Sequence, residues 1–382
     1  MRSFSTLTAL FVLLVFLAFS TAQSAGQNDS IVTRIAAPGD GGSGSTIALR
    51  ATSTMSVASE IGGAFMSSTK CDADGNLYIR KLAMDRPLLG PVVKIDTDGK
   101  RTALFDPTAF SELGLNRADA FSPASDGGLY QIAQAFGLKT RLYVLHFSSD
   151  GSPSSSTPLD AEFEVYTFAA FANGNFLLSG VKRDLENKND RGRNFTAVFS
   201  NDGRELAQLS FQEPQSASAA ATPGAGTTAK SAGKSLKSAQ AADVVKKADA
   251  EKQAPTLDLS YAEVGDDGNL YVMRRSSPAL VYVVAPSGKI ERTMKIASPL
   301  AGGEPTAFHV SSNQLAISFW NDKKQSQVVI VADAETGERI ASYGDPTGLG
   351  PAFACYSADE GAFTFLKLGD ANALEVIRAE AQ

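Results

Sequence analysis

Asp72-Ala-Asp-Gly-Asn-Leu-Tyr-Ile79 returns almost unchanged as Asp266-Asp-Gly-Asn-Leu-Tyr-Val272. In both, a tight turn with glycine at its corner opens into a short run of aliphatic and aromatic residues. That is the signature of a hairpin strand, because glycine accepts the positive φ such turns require. Weaker copies are Ser125-Asp-Gly-Gly-Leu-Tyr130, Ala172-Asn-Gly-Asn-Phe-Leu-Leu178 and Asp359-Glu-Gly-Ala-Phe-Thr-Phe365. Ser311-Ser-Asn-Gln-Leu-Ala-Ile-Ser318 keeps the position and loses the glycine. After most copies come a second apolar run, a second turn and a third run. Examples are Val92-Val-Lys-Ile-Asp-Thr-Asp-Gly99, Leu142-Tyr-Val-Leu-His-Phe-Ser-Ser-Asp-Gly151 and Val281-Tyr-Val-Val-Ala-Pro-Ser-Gly288.

The turn positions Gly75, Gly127, Gly174, Gly268, Asn313 and Gly361 are separated by 52, 47, 94, 45 and 48 residues. The long interval holds a low-complexity insertion, Glu213–Thr256, of 44 residues, and without it the interval falls to 50. Six units of this size, each with three or four short strands, predict an all-β chain folded as a six-bladed β-propeller with four-stranded antiparallel blades. A β-sandwich array is the rival. The last unit has strand-like runs at Ala352–Tyr356, Ala362–Leu366 and Leu374–Ala379, and its fourth strand is missing. An N-terminal run, Ile31–Ala36 or Thr46–Arg50, is expected to complete it. Mixing N- and C-terminal strands in the last blade removes an open edge that would otherwise template aggregation.

The Asp-Gly-Asn-Leu-Tyr core, the following hydrophobic strand and the Asp-Gly-Lys turn at 98–100 resemble the six-bladed propellers of the NHL-repeat and gluconolactonase-like type. The resemblance covers nearly all of the chain after residue 25 outside Glu213–Thr256. It implies the fold and says little about activity. In the gluconolactonase-like group it implies a divalent metal on the central axis, calcium being the candidate, held by carboxylates and an asparagine. No segment here places those ligands residue by residue, and the residues themselves predict no cofactor.

The chain has 382 residues, 43% hydrophobic and 20% charged, with 41 acidic against 35 basic side chains. That composition is globular, and the acidic balance argues against a nucleic-acid partner. Residues 1–25 read as a signal peptide. Arg2 precedes an apolar run, Ala9–Phe19, too short to span a bilayer, and Ser20-Thr21-Ala22 suits cleavage after Ala22. A secreted or periplasmic monomer with no transmembrane segment after signal removal is therefore expected, with residues 26–382 as one propeller domain. The insertion, rich in Ala, Ser and Lys, falls between the third and fourth blades and reads as a mobile loop.

Loops between second and third strands are rich in Lys and Arg, among them Arg80, Arg141, Arg183, Arg274 and Arg275. Tight turns on the opposite face are rich in Asp. One end of the ring could thus present a basic collar to an anionic ligand, a glycan or an acidic partner. Candidates for an axial metal or an acid–base pair are Glu263 and Tyr261 with Glu304 and His309. Cys71 and Cys355 fall on the first strands of the first and last blades, which meet across the closure seam. A disulfide there and two buried free thiols both remain open. Three functions stand: a non-catalytic exported propeller that binds a ligand, protein or glycan through one face; a metal-dependent hydrolase or lactonase with an axial site; and a structural component of an envelope assembly.

Overall fold

Strands dominate because short apolar runs alternate with glycine-cornered turns, and the turns form as written. Gly75 and Gly268 take φ of 76° and 75°, and Asn313, in the copy that lacks glycine, takes 58°. The computed structural model describes residues 46–62, 65–137, 140–159, 163–182, 192–211, 261–344, 349 and 352–382. All belong to one compact unit, Val32–Gln382. Residues 1–25, expected to be a signal peptide, Ile31–Ala36, Arg183 and Glu213–Thr256 lie outside the described residues.

The strands group in chain order. β1 (Ile47–Ser56) precedes a four-stranded antiparallel meander of β2 (Phe65–Cys71), β3 (Leu77–Lys81), β4 (Val92–Ile95) and β5 (Arg101–Phe105). The second meander is β6 (Arg117–Pro123), β7 (Leu129–Ala135), β8 (Arg141–Phe147) and β9 (Pro153–Leu159). The third is β10 (Phe163–Ala170), β11 (Phe176–Lys182), β12 (Arg193–Phe199) and β13 (Glu205–Gln208). The fourth is β14 (Ala262–Val264), β15 (Leu270–Arg274), β16 (Ala279–Val284) and β17 (Ile290–Ile296).

The last strands are β18 (Glu304–Ser311), β19 (Gln314–Asn321), β20 (Ser326–Asp333), β21 (Arg339–Gly344), β22 (Ala352–Ser357), β23 (Ala362–Leu368) and β24 (Leu374–Ala381). They join β1 in one eight-stranded sheet, ordered β18-β19-β20-β21-β1-β24-β23-β22. Its middle is thin. β1 runs antiparallel to β24 from Leu49↔Ala381 to Ser56↔Glu375, yet meets β21 in parallel at Ile47↔Tyr343 and Ala48↔Gly344 alone. Thr46–Arg50, one of the two segments singled out to complete the last unit, overlaps β1.

The first strands of successive groups neighbour one another around a closed circuit, β2 to β6, β10, β14, β18, β22 and back to β2. The sheets therefore stand side by side in a propeller-like arrangement, and the cores lie between them. Tyr271, Met273, Val281 and Val283 pack toward β18–β20. Their alternates Leu270, Val272, Tyr282 and Val284 pack toward β10–β12. Strands buried on both faces read as continuous runs of aliphatic and aromatic residues, which is why Ala279–Val284 carries no charged side chain. The last core joins Leu77, Ile79, Val93 and Ile95 to Leu366, Leu374 and Val376, closing the circuit.

The repeated tyrosine ties neighbouring sheets together. Tyr78 Oη lies 3.1 Å from Asp72 Oδ2 in its own turn and 2.9 Å from the Gly127 carbonyl in the next group. Lys94 Nζ stands 3.2 Å from the same Asp72 oxygen. In the fourth group Tyr271 and Asp267 are joined by Arg292, which donates to Tyr271 Oη at 2.8 Å and to the Ala334 carbonyl at 3.0 Å. Burial pushes both phenols above their ordinary pKa; Asp72 adds to the shift at Tyr78, while at Tyr271 Arg292 opposes it and Asp267 adds to it. Both remain neutral hydrogen-bonding groups.

Candidate functional site

The circuit of first strands encloses a central cavity of about 1000 Å³ with residues from all six on its wall. Breaks in strand register shape that wall. β6 is bulged between Ala118 and Phe121, β10 between Val165 and Thr167, β18 between Pro305 and Ala307, and β22 between Phe353 and Cys355. The residues inside those breaks, Asp119, Ala120, Tyr166, Thr306 and Ala354, all line the cavity. A bulge kinks the strand and re-aims a side chain that regular alternation would place elsewhere.

The wall carries charge as well as apolar surface. Arg80, at the end of β3, is 7% exposed and donates from Nη2 to the Ala118 carbonyl of β6. Its Nη1 is 3.7 Å from Asp119 Oδ1, while Arg117 Nε is 2.5 Å from Asp119 Oδ2. One carboxylate thus serves two guanidiniums. Burial pulls the Arg80 guanidinium below its ordinary pKa; Asp119 opposes that shift and Arg117 adds to it. Lys70 of β2, 8% exposed, donates to the Ala262 carbonyl of β14 at 3.0 Å. Phe121, Phe168, Phe308 and Phe353 supply the apolar wall. Lys367 and Leu368, at the end of β23, put the mouth on the side of the loops between second and third strands.

Glu263 and His309 come together. His309 Nδ1 is 2.7 Å from Glu263 Oε2, and that oxygen also accepts the Val310 N–H at 3.0 Å. Burial alone would lower the His309 pKa, but the charge and hydrogen bonding of Glu263 outweigh it and the net shift is upward. Tyr261 and Glu263 both line the cavity. Glu304 does not join them. It opens β18 five residues before His309, roughly 16 Å along a strand, is 74% exposed and pairs with Arg275 at 3.6 Å.

The divalent metal implied by the family resemblance does not fit these residues. Glu263 is already engaged by His309 and a backbone N–H, and Glu304 belongs to another ion pair. Among the described residues no group of three His, Cys, Asp or Glu side chains could hold a metal ion. In Asp72-x-Asp-Gly, Asp72 Oδ1 accepts the backbone N–H groups of Asp74 and Asn76 in its own turn at 3.1 and 2.9 Å. His146 stacks on Tyr130 with ring centroids 4.3 Å apart.

Four of the arginines expected in one collar lie among the described residues, each near the end of a second strand, at the start of a third or in the loop between them. Arg80 lies in the cavity wall, Arg141 is exposed at the start of β8, and Arg275 is paired with Glu304. Arg274 is half-buried at the end of β15. Sequence reasoning missed Lys70, Arg117 and Asp119. The Arg117-x-Asp119 spacing offered a signal, since alternate residues of a first strand share a face. Cys71 and Cys355 face each other across the seam with Cα atoms 6.0 Å apart and their sulfurs within bonding distance.

No family model matches the sequence, and no curated protein does. Among solved structures, a luciferin-regenerating enzyme superposes at TM-score 0.45 with 9% identity over 86% of this chain and 95% of that one. The WD40 domain of Neurospora crassa Pan2 gives 0.42 and 10% over 88% and 96%. A putative oxidoreductase (glucose dehydrogenase) from Thermus thermophilus gives 0.42 and 12% over 87% and 99%. At these values the likenesses bear on neither activity nor ligand, and the fold rests on the strand pairing itself.

Proposed function

We propose that this chain is an exported, non-catalytic six-bladed propeller that binds a small ligand in its central cavity. The observation that carries the reading is a cavity of about 1000 Å³ walled by all six first strands, with Lys70 and Arg80 held in it almost fully buried. Buried cations are costly unless a partner or a function answers them. The cavity is also of the size and mixed polarity typical of small-molecule sites. Six blades follow from dividing the eight-stranded sheet at its two-residue β1–β21 contact, which leaves β22, β23, β24 and β1 as the last blade. The turn–strand units support the NHL-like assignment, and the Ala9–Phe19 leader supports export to the periplasm or medium. A protein or glycan held at the mouth, and service within an envelope assembly, would use the same face.

A thermal-shift screen of a mixed library of neutral sugars, amino acids, organic acids and short peptides tests this reading. Ala120→Trp, which projects a large ring into the cavity, is the control. We expect at least one compound to raise the melting temperature of the native protein and to lose that effect in Ala120→Trp. Shifts of equal size in both proteins, or none at all, would contradict it.

A further inference from the structure

The cavity wall also specifies a ligand chemistry, an inference that rests on the cavity being the ligand site. Its charged residues are Lys70, Arg80, Arg117 and Lys367 against Asp119 and Glu263. Both carboxylates are already answered: Asp119 by two guanidiniums at 2.5 and 3.7 Å, Glu263 by His309 at 2.7 Å. The wall therefore keeps a positive excess beside Arg80, enclosed by low-dielectric phenylalanine surface that screens it poorly. The lining also carries apolar surface from Phe121, Phe168, Phe308 and Phe353, all buried.

We infer that the cavity takes a small organic carboxylate with an aromatic or branched apolar body, its charge on the Arg80–Arg117 pair and its body against the phenylalanines. A planar guanidinium matches the geometry of a carboxylate. The two arginines share one aspartate, so the excess there is a single charge, which suits a monoanion better than a phosphate dianion. The apolar wall would leave a simple inorganic anion without contacts, and an extended polyanion would meet the rim rather than the interior.

Calorimetric titration of the purified protein with 4-phenylbutyrate, 4-phenylbutyramide, 4-phenylbutylamine and acetate separates charge from body. The carboxylate is expected to bind, its neutral amide at least tenfold more weakly, and the amine and acetate without measurable heat. Arg80→Gln should weaken 4-phenylbutyrate at least tenfold. Arg117→Gln, which leaves Asp119 to neutralise Arg80, should weaken it at least fivefold, and its half-exposed side chain makes loss of folding a minor concern. Asp119→Asn should strengthen binding severalfold, while Arg141→Gln on the exposed rim should leave it unchanged. The inference is overturned by an amide that binds as tightly as the acid, by Arg117→Gln at native affinity, by Asp119→Asn without gain, or by no binding of the acid. A neutral library compound displaced by Ala120→Trp would then preserve the cavity as a site and remove its anion selectivity. No Ala120→Trp-sensitive compound would remove both.

Discussion

Glu263 and His309 illustrate how a residue's surroundings decide its role. Each was legible as a candidate because alternate side chains of a first strand can face the axis. Their pairing was not, since the two lie 46 positions apart in sequence, on different sheets. In the folded protein they form a buried ion pair between β14 and β18 rather than a metal ligand set. The upward shift of His309 fixes the sign of its linkage to stability. The contribution is complete below the unfolded value of about 6.5 and is lost as pH rises through the higher folded value. The negative charge of Asp72 pushes in the same direction, more weakly. Melting temperature should therefore fall as pH rises above neutrality, and His309→Gln should flatten that fall. A variant whose melting temperature declines as steeply as the native protein's would show that the pair does not titrate in this range.

At the scale of elements, the repeated turn and the strand after it were readable directly. Both are local, set by a glycine or asparagine at positive φ and by a run of aliphatic and aromatic residues. The bulges were not. A bulge appears in sequence only as a slip in alternation, and first strands of mixed polarity such as Arg117–Pro123 give no clean alternation against which a slip would show. That is why Asp119, inside the β6 bulge, went unnoticed; Arg80 lies on the regular second strand β3, and its place in the cavity wall beside β6 is set by how the sheets meet. The seam between β2 and β22 carries the clearest consequence. With Cys71 and Cys355 at a Cα separation of 6.0 Å and 284 residues apart in sequence, a bond there would constrain nearly the whole chain. Loop-entropy models assign such a cross-link roughly 5–6 kcal/mol. Peptide mapping without reductant should recover the Cys71–Cys355 pair, and Cys71→Ser should lower stability by several kcal/mol. Two cysteines that alkylate freely in the native, unreduced protein would contradict it.

At the scale of the whole molecule, the closed circuit of first strands does two things. It places a core between every neighbouring pair of sheets, so that burial is distributed around the ring rather than gathered at one centre. It also leaves the axis open, and there the sequence departs from apolar filling: Lys70, Arg80, Arg117, Asp119 and Glu263 stand where packing alone would favour aliphatic side chains. The regular turn spacing and the incomplete last repeat were legible because both are one-dimensional signals, and the pairing of β1 with β24 answers the second of them. Which faces meet at the axis depends on three-dimensional closure and had to be seen. The measurement that tests this account most directly is a crystal structure of the protein with the compound that most raises its melting temperature. The account predicts the ligand inside the ring, bounded by β2, β6, β10, β14, β18 and β22. A ligand held at the rim beside Arg141 and Arg275, or along an outer strand, with the cavity filled by water alone, would contradict it.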